Sequence, residues 1–118
     1  MKIKVLLVDD EKKFAVMLAR RLTLRDLDVD YVFNGEDALK RIEQEKYDVT
    51  VLDVKMPGIS GIELKRRLNS LAPEMKIVFL TGHGSKNDFL TGTAEGAVYL
   101  TKPLQIEKLV ALLHELVE

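Results

Sequence analysis

Val5-Leu6-Leu7-Val8-Asp9-Asp10 is an unbroken apolar run that ends in two carboxylates. Three further runs end on reactive or polar side chains. Val49-Thr50-Val51-Leu52 leads into Asp53, Ile77-Val78-Phe79-Leu80 into Thr81, and Val98-Tyr99-Leu100-Thr101 into Lys102-Pro103. Continuous runs of this kind read as parallel strands buried on both faces. In an open parallel sheet the carboxyl ends of the strands share one edge, and ligands bind there. Three carboxylates, a hydroxyl and an ammonium are therefore expected to converge from four stretches of chain. That set suits a divalent cation together with a phosphoryl group.

Between the runs lie segments with helical periodicity. The spacing predicts strands over about 3–8, 28–33, 48–53, 76–81 and 97–101. It predicts helices over about 12–25, 35–46, 61–71, 85–95 and 105–117. In the first helix Phe14, Leu18, Leu22 and Arg25 share a face that Val16, Met17 and Ala19 widen. Ala38, Leu39 and Ile42 face inward in the second, and Ile62, Leu64, Leu68 and Leu71 in the third, with Ser60 as its cap. Strand–helix alternation implies βαβ units and right-handed crossovers, with helices on both faces of the sheet. The expected fold is α/β and doubly wound: a flavodoxin-like five-stranded parallel sheet in the order 2-1-3-4-5. Its switch point falls between the first and third strands, where Asp9, Asp10 and Asp53 lie.

The chain has 118 residues, which suits one domain over 1–118 with a core of its own. Eighteen basic and nineteen acidic residues leave a formal net charge of −1, so no electrostatic footprint for nucleic acid or a membrane surface is expected. Lys65-Arg66-Arg67 reads as a solvated helix face. Cysteine is absent, which excludes disulfides, thiolate catalysis and cysteine zinc sites and fits a reducing cytoplasm. Met1-Lys2-Ile3-Lys4 enters the first strand directly, without a leader pattern. No apolar stretch approaches the ~20 residues a membrane span needs. His83 falls in the loop after Thr81 and His114 on the last helix, so they form neither a metal pair nor a catalytic dyad, and His114 reads as a half-buried packing residue. No Walker loop or dinucleotide fingerprint is present.

Like charges gathered at one point oppose one another's ionisation, and a hard cation relieves this. Mg²⁺ takes oxygen ligands and is usually held by one or two carboxylates plus phosphate. Asp53 is placed to act as a nucleophile, since carboxylates form acyl-phosphates. Lys102 would supply a second positive group, and Thr81 a hydroxyl for a phosphoryl oxygen. Singly these residues have bland readings: Asp9-Asp10 as an acidic helix start, Asp53 and Lys102 as turn residues, Thr81 as a loop cap. Their joint placement favours the shared site.

With these residues in order, the chain resembles, end to end, the receiver domain of bacterial two-component response regulators. The motifs are Val8-Asp9-Asp10-Glu11, Asp53 with Met56-Pro57-Gly58 and Gly61, Thr81-Gly82, and Tyr99-Leu100-Thr101-Lys102-Pro103. The resemblance implies a signalling switch, with Asp53 as phosphoacceptor for a histidine kinase or phosphotransfer protein. It implies Mg²⁺ held directly by Asp10, Asp53 and the Lys55 carbonyl, and by Asp9 through water. Thr81 and Tyr99 would be the switch pair, and Lys102 the phosphate-binding lysine. The side chains of Lys55 and His83 would flank the path of the hydrolytic water. The output face would be the fourth helix, fifth strand and fifth helix, used by an effector or a homodimer. Self-catalysed phosphorylation and dephosphorylation would be weak, so no turnover enzyme is expected. A Mg²⁺-dependent aspartyl phosphatase would instead want an Asp-x-Asp pair after the first strand and a cap insertion. A non-phosphorylated module on the same fold would not need the Asp/Thr/Lys set.

Two departures from the family pattern stand out. Between Thr81 and Lys102 the chain is one residue shorter than usual, and Thr91-Gly92-Thr93 is poor helix sequence. Asp26 stands where a glycine commonly ends the first helix.

Overall fold

Five parallel strands form one sheet in the order β2-β1-β3-β4-β5. They are β1 (Lys4–Val8), β2 (Asp28–Val32), β3 (Val49–Asp53), β4 (Lys76–Thr81) and β5 (Val98–Thr101). The computed structural model describes residues 2–54, 58–81, 98–101 and 105–117, with Ile62 and Thr81 described by their backbone. Helices α1 (Lys12–Thr23), α2 (Gly35–Gln44) and α3 (Gly61–Leu71) follow the first three strands, and a C-terminal helix spans Ile106–Val117. The expected helix over 85–95 lies outside the described residues.

The apolar runs divide their side chains between two cores, as a strand's period of two requires. Leu6, Val8, Leu52, Ile77 and Phe79 join Ala38 and Ile42 of α2 and Leu64 and Leu68 of α3. Val5, Leu7, Val49, Val51, Val78 and Leu80 join Leu18 and Leu22 of α1 and Leu109 and Leu113 of the C-terminal helix. Helices thus cover both faces, and the sheet is the doubly wound one that the alternation implies.

Local chemistry fixes the helix starts near the functional edge. Asn34 Oδ1 accepts from Asp37 N–H at 2.8 Å and opens α2. Ser60 Oγ accepts from Glu63 N–H at 3.2 Å and opens α3. Each side chain satisfies one of the amide groups that a helix start leaves without an internal partner. At the far end of α1, Asp26 has φ 66°, the left-handed conformation that a glycine adopts without a Cβ penalty.

Four sequence-based placements are corrected. Val16 and Met17 do not widen the buried stripe of α1, which is Ala15, Leu18, Ala19 and Leu22. Arg25 lies beyond the end of α1, where its guanidinium pairs with Glu107 at 2.6 Å. Leu71 ends α3 with 47% of its surface exposed. Lys65 is buried, whereas Arg66 and Arg67 are solvated and pair with Glu63. Half-burial of His114 agrees with its reading as a packing residue.

Candidate functional site

The register puts the strand ends level. Val8 pairs with Leu52, Asp53 with Leu80, and Thr81 with Thr101. Asp9 and Asp10, which follow β1, therefore meet Asp53, which ends β3, at the switch point of the sheet. One carboxylate oxygen from each of the three lies within 4.8 Å of the others. Asp9 and Asp53 are buried, and Asp10 is exposed.

Backbone contacts hold this arrangement. Asp9 N–H donates to Val32 O at 3.2 Å, tying the end of β1 to β2. Asp9 Oδ1 accepts from Glu11 N–H at 2.9 Å, which turns the carboxylate toward the start of α1. Glu11 occupies the cap position of α1 without a side-chain cap bond of its own. The bland reading of Asp9 as a solvated helix start therefore does not hold, because that side chain is buried. On the other side Val54 N–H donates to Leu80 O at 3.1 Å, fixing the chain as it leaves Asp53.

The donor set is all carboxylate oxygen, the chemistry that hard divalent cations select. Around an octahedral ion with bonds of about 2.1 Å, ligand oxygens stand about 3 Å apart when adjacent and about 4 Å when opposite. Three carboxylate oxygens gathered within 4.8 Å of one another are compatible with this. The residues present fit a divalent cation.

Tyr99 sits on β5 directly beside Phe79 of β4, and the two rings stack with centroids 5.1 Å apart and planes at 28°. Tyr99 is half-buried and packs on the core beneath α2 and α3. Thr81 closes β4 at the same edge. Lys55, His83 and Lys102 lie outside the described residues, as does Pro103. The stack was within reach of the sequence: aligning β4 and β5 by Thr81 and Thr101 already pairs 79 with 99. The contact between Asp9 and the amide of Glu11 carried no such signal, because it needs the turn after β1.

A doubly wound parallel sheet with an acidic trio at its switch point defines a class of phosphoryl- and cation-handling modules. The family model described as "Response regulator receiver domain" matches residues 5–114, and the chain belongs to that family. It is 38% identical over 115 residues to the transcriptional regulatory protein TcrA of Mycobacterium tuberculosis, covering 97% of this chain and 46% of that protein. The chain spans about half the length of the curated relatives it matches. It resembles a Burkholderia pseudomallei response regulator solved with a phosphorylated aspartic acid, a calcium ion and citrate. That match has a TM-score of 0.87 and 34% identity, covering 95% of this chain and 66% of that one. The Francisella response regulator 1452 receiver domain matches with a TM-score of 0.89 and 32% identity, over 98% of this chain and 97% of that one. Among the described residues no helix is long and apolar enough to cross a membrane.

Proposed function

We propose that this receiver domain is a phosphorylation-dependent switch in which Asp53 accepts a phosphoryl group from a histidine kinase or phosphotransfer protein. The observation that carries the proposal is the convergence of Asp9, Asp10 and Asp53 within 4.8 Å at the switch point. A carboxylate oxygen of Asp53 attacks phosphorus and forms the P–O bond as the P–N bond to the donor imidazole breaks. Mg²⁺ held there would supply charge neutralisation for the phosphoryl oxygens and offset their repulsion from the aspartates. By the family resemblance Asp10, Asp53 and the Lys55 carbonyl would hold the ion directly, and Asp9 would act through water. Asp9 is suited to this role because its Oδ1 is already engaged by the Glu11 amide. Lys102 contributes the second cation and Thr81 a hydroxyl donor. Tyr99 follows Thr81 as the switch aromatic, from a starting position stacked on Phe79.

By the family resemblance the fourth helix, β5 and the C-terminal helix would carry the output to an effector or a second copy of the chain. The Burkholderia relative, with its phosphorylated aspartic acid and calcium ion, supports both the phosphoacceptor and the divalent site. The match to half of a transcriptional regulatory protein supports transcription as the output of the protein that carries this domain. By the family resemblance Lys55 and His83 would flank the hydrolytic water, and their side chains would then set the lifetime of the phosphorylated state. Lys55→Asn should shorten that lifetime several-fold and Lys55→Ala less, and lifetimes unchanged from wild type in both variants would remove the Lys55 side chain from this role.

The proposal makes the chain a stoichiometric acceptor rather than a turnover phosphatase. Labelling with acetyl phosphate should saturate at one phosphate per chain and require Mg²⁺, and beryllofluoride should bind only with Mg²⁺ present. Steady hydrolysis of p-nitrophenyl phosphate would favour the phosphatase instead.

A further inference from the structure

We propose that Gly61 is a positioning residue for Asp53, and that its lack of a side chain sets where the phosphoacceptor stands relative to Asp9 and Asp10. The proposal rests on the phosphoacceptor reading and adds the element that fixes its geometry. Gly61 is the first residue of α3, and its N–H donates to Val54 O at 3.1 Å. Val54 N–H in turn donates to Leu80 O at 3.1 Å. The main chain leaving Asp53 is thus held between β4 on one side and the start of α3 on the other.

The approach is close enough to exclude any side chain. A Cβ at Gly61 would lie 2.9 Å from Val54 Cα, 3.0 Å from Val54 O and 3.1 Å from Asp53 O. All three are backbone atoms, so no rotamer change relieves the overlap. Nor can α3 readily lift away. Leu64 and Leu68 anchor it with no exposed surface, and Ser60 caps its first turn. Relief therefore falls on the Asp53–Val54 backbone, while Asp9 and Asp10 stay with β1. The spacing of the carboxylates changes as a result.

Gly35 provides an internal control. It is the first residue of α2, the same helix position. A Cβ there would meet only side-chain atoms at ordinary contact distance: Leu64 Cδ2 at 3.4 Å, Leu64 Cδ1 at 3.5 Å and Ile59 Cβ at 3.6 Å. Both glycines open a helix, but only Gly61 abuts the phosphoacceptor's main chain.

The test compares wild type, Gly35→Ala and Gly61→Ala, each alone and in an Asp26→Gly background chosen to add stability. Mg²⁺ affinity is read by calorimetry, phosphorylation rate with acetyl phosphate by intact mass, and folding by melting and by the Val54 and Leu80 amide resonances. Small misplacements of reacting groups cost rate steeply, so Gly61→Ala should stay folded yet lose roughly tenfold or more in both Mg²⁺ affinity and phosphorylation rate. Its Val54 and Leu80 amides should shift, and Gly35→Ala should match wild type throughout. Wild-type Mg²⁺ affinity and rate in folded Gly61→Ala would overturn the proposal. Loss of the fold in both backgrounds would overturn it as well, making Gly61 a folding residue. Failure of wild type and Gly35→Ala alike to bind Mg²⁺ or accept phosphate would instead overturn the phosphoacceptor reading, and this proposal with it.

Discussion

Replacing Asp10 by Asn should stabilise the metal-free protein while weakening its hold on Mg²⁺. Asp10 is the exposed member of the trio and adds two like-charge pairs, one with Asp9 and one with Asp53. At the outer spacing of 4.8 Å each pair repels by about 0.9 kcal/mol in water. Salt with a Debye length of about 8 Å roughly halves this. The two pairs together then oppose folding by about 1 kcal/mol, which corresponds to about 4 °C in melting temperature for a domain of this size. With Mg²⁺ at ten times its dissociation constant, the wild type gains about 1.4 kcal/mol by mass action. A variant lacking a direct ligand gains far less. The order of stability should therefore reverse: the variant melts higher in chelator, and the wild type overtakes it in Mg²⁺. Thermal melts of both proteins in chelator and across a Mg²⁺ series read this directly. A metal-free variant that melts at or below wild type, or equal Mg²⁺ titrations of the two, would show that Asp10 neither strains the apo site nor binds the ion.

Asp26→Gly should stabilise the fold by about 0.5 kcal/mol, because relief of the left-handed backbone strain outweighs the added chain entropy. The exposed Lys2–Asp26 contact at 3.5 Å contributes little against this, and urea titration showing a loss of stability would contradict it. Tyr47 is buried and its hydroxyl donates to Asp30 Oδ2 at 2.6 Å, so Tyr47→Phe should cost about 1–2 kcal/mol at neutral pH. Burial, then the bonds to Asp30 and Glu45, push the phenol proton affinity well up, so the neutral hydroxyl is the native form. Its contribution is complete below the ordinary tyrosine value of about 10 and falls as pH rises beyond it, when the unfolded chain ionises first. Denaturant titrations between neutral and alkaline pH should show that loss in wild type, and a smaller slope in Tyr47→Phe.

The fold was legible because three of the strands, β1, β3 and β4, are near-continuous apolar runs. Only a parallel sheet covered on both faces hides such runs from water. The aspartates were legible for the same reason, since each terminates a run and the topology brings the ends level. What escaped was set by contacts that do not follow periodicity. Lys65 reads as part of a basic triplet, yet it lies beside Leu64 on the inward face of α3. Leu71 continues the apolar period into the last turn of α3, where half of it meets solvent. Gly61 could be quoted as part of a motif, but its distance from Val54 Cα belongs to the packing of α3 on β3. The absence of a side chain carries no hydropathy signal.

Intact-mass measurement after incubation with acetyl phosphate and Mg²⁺ decides whether Asp53 is the phosphoacceptor. The wild type should gain the mass of a single phosphate, and Asp53→Asn should gain none under the same conditions. Full labelling of the Asp53→Asn protein would contradict the account.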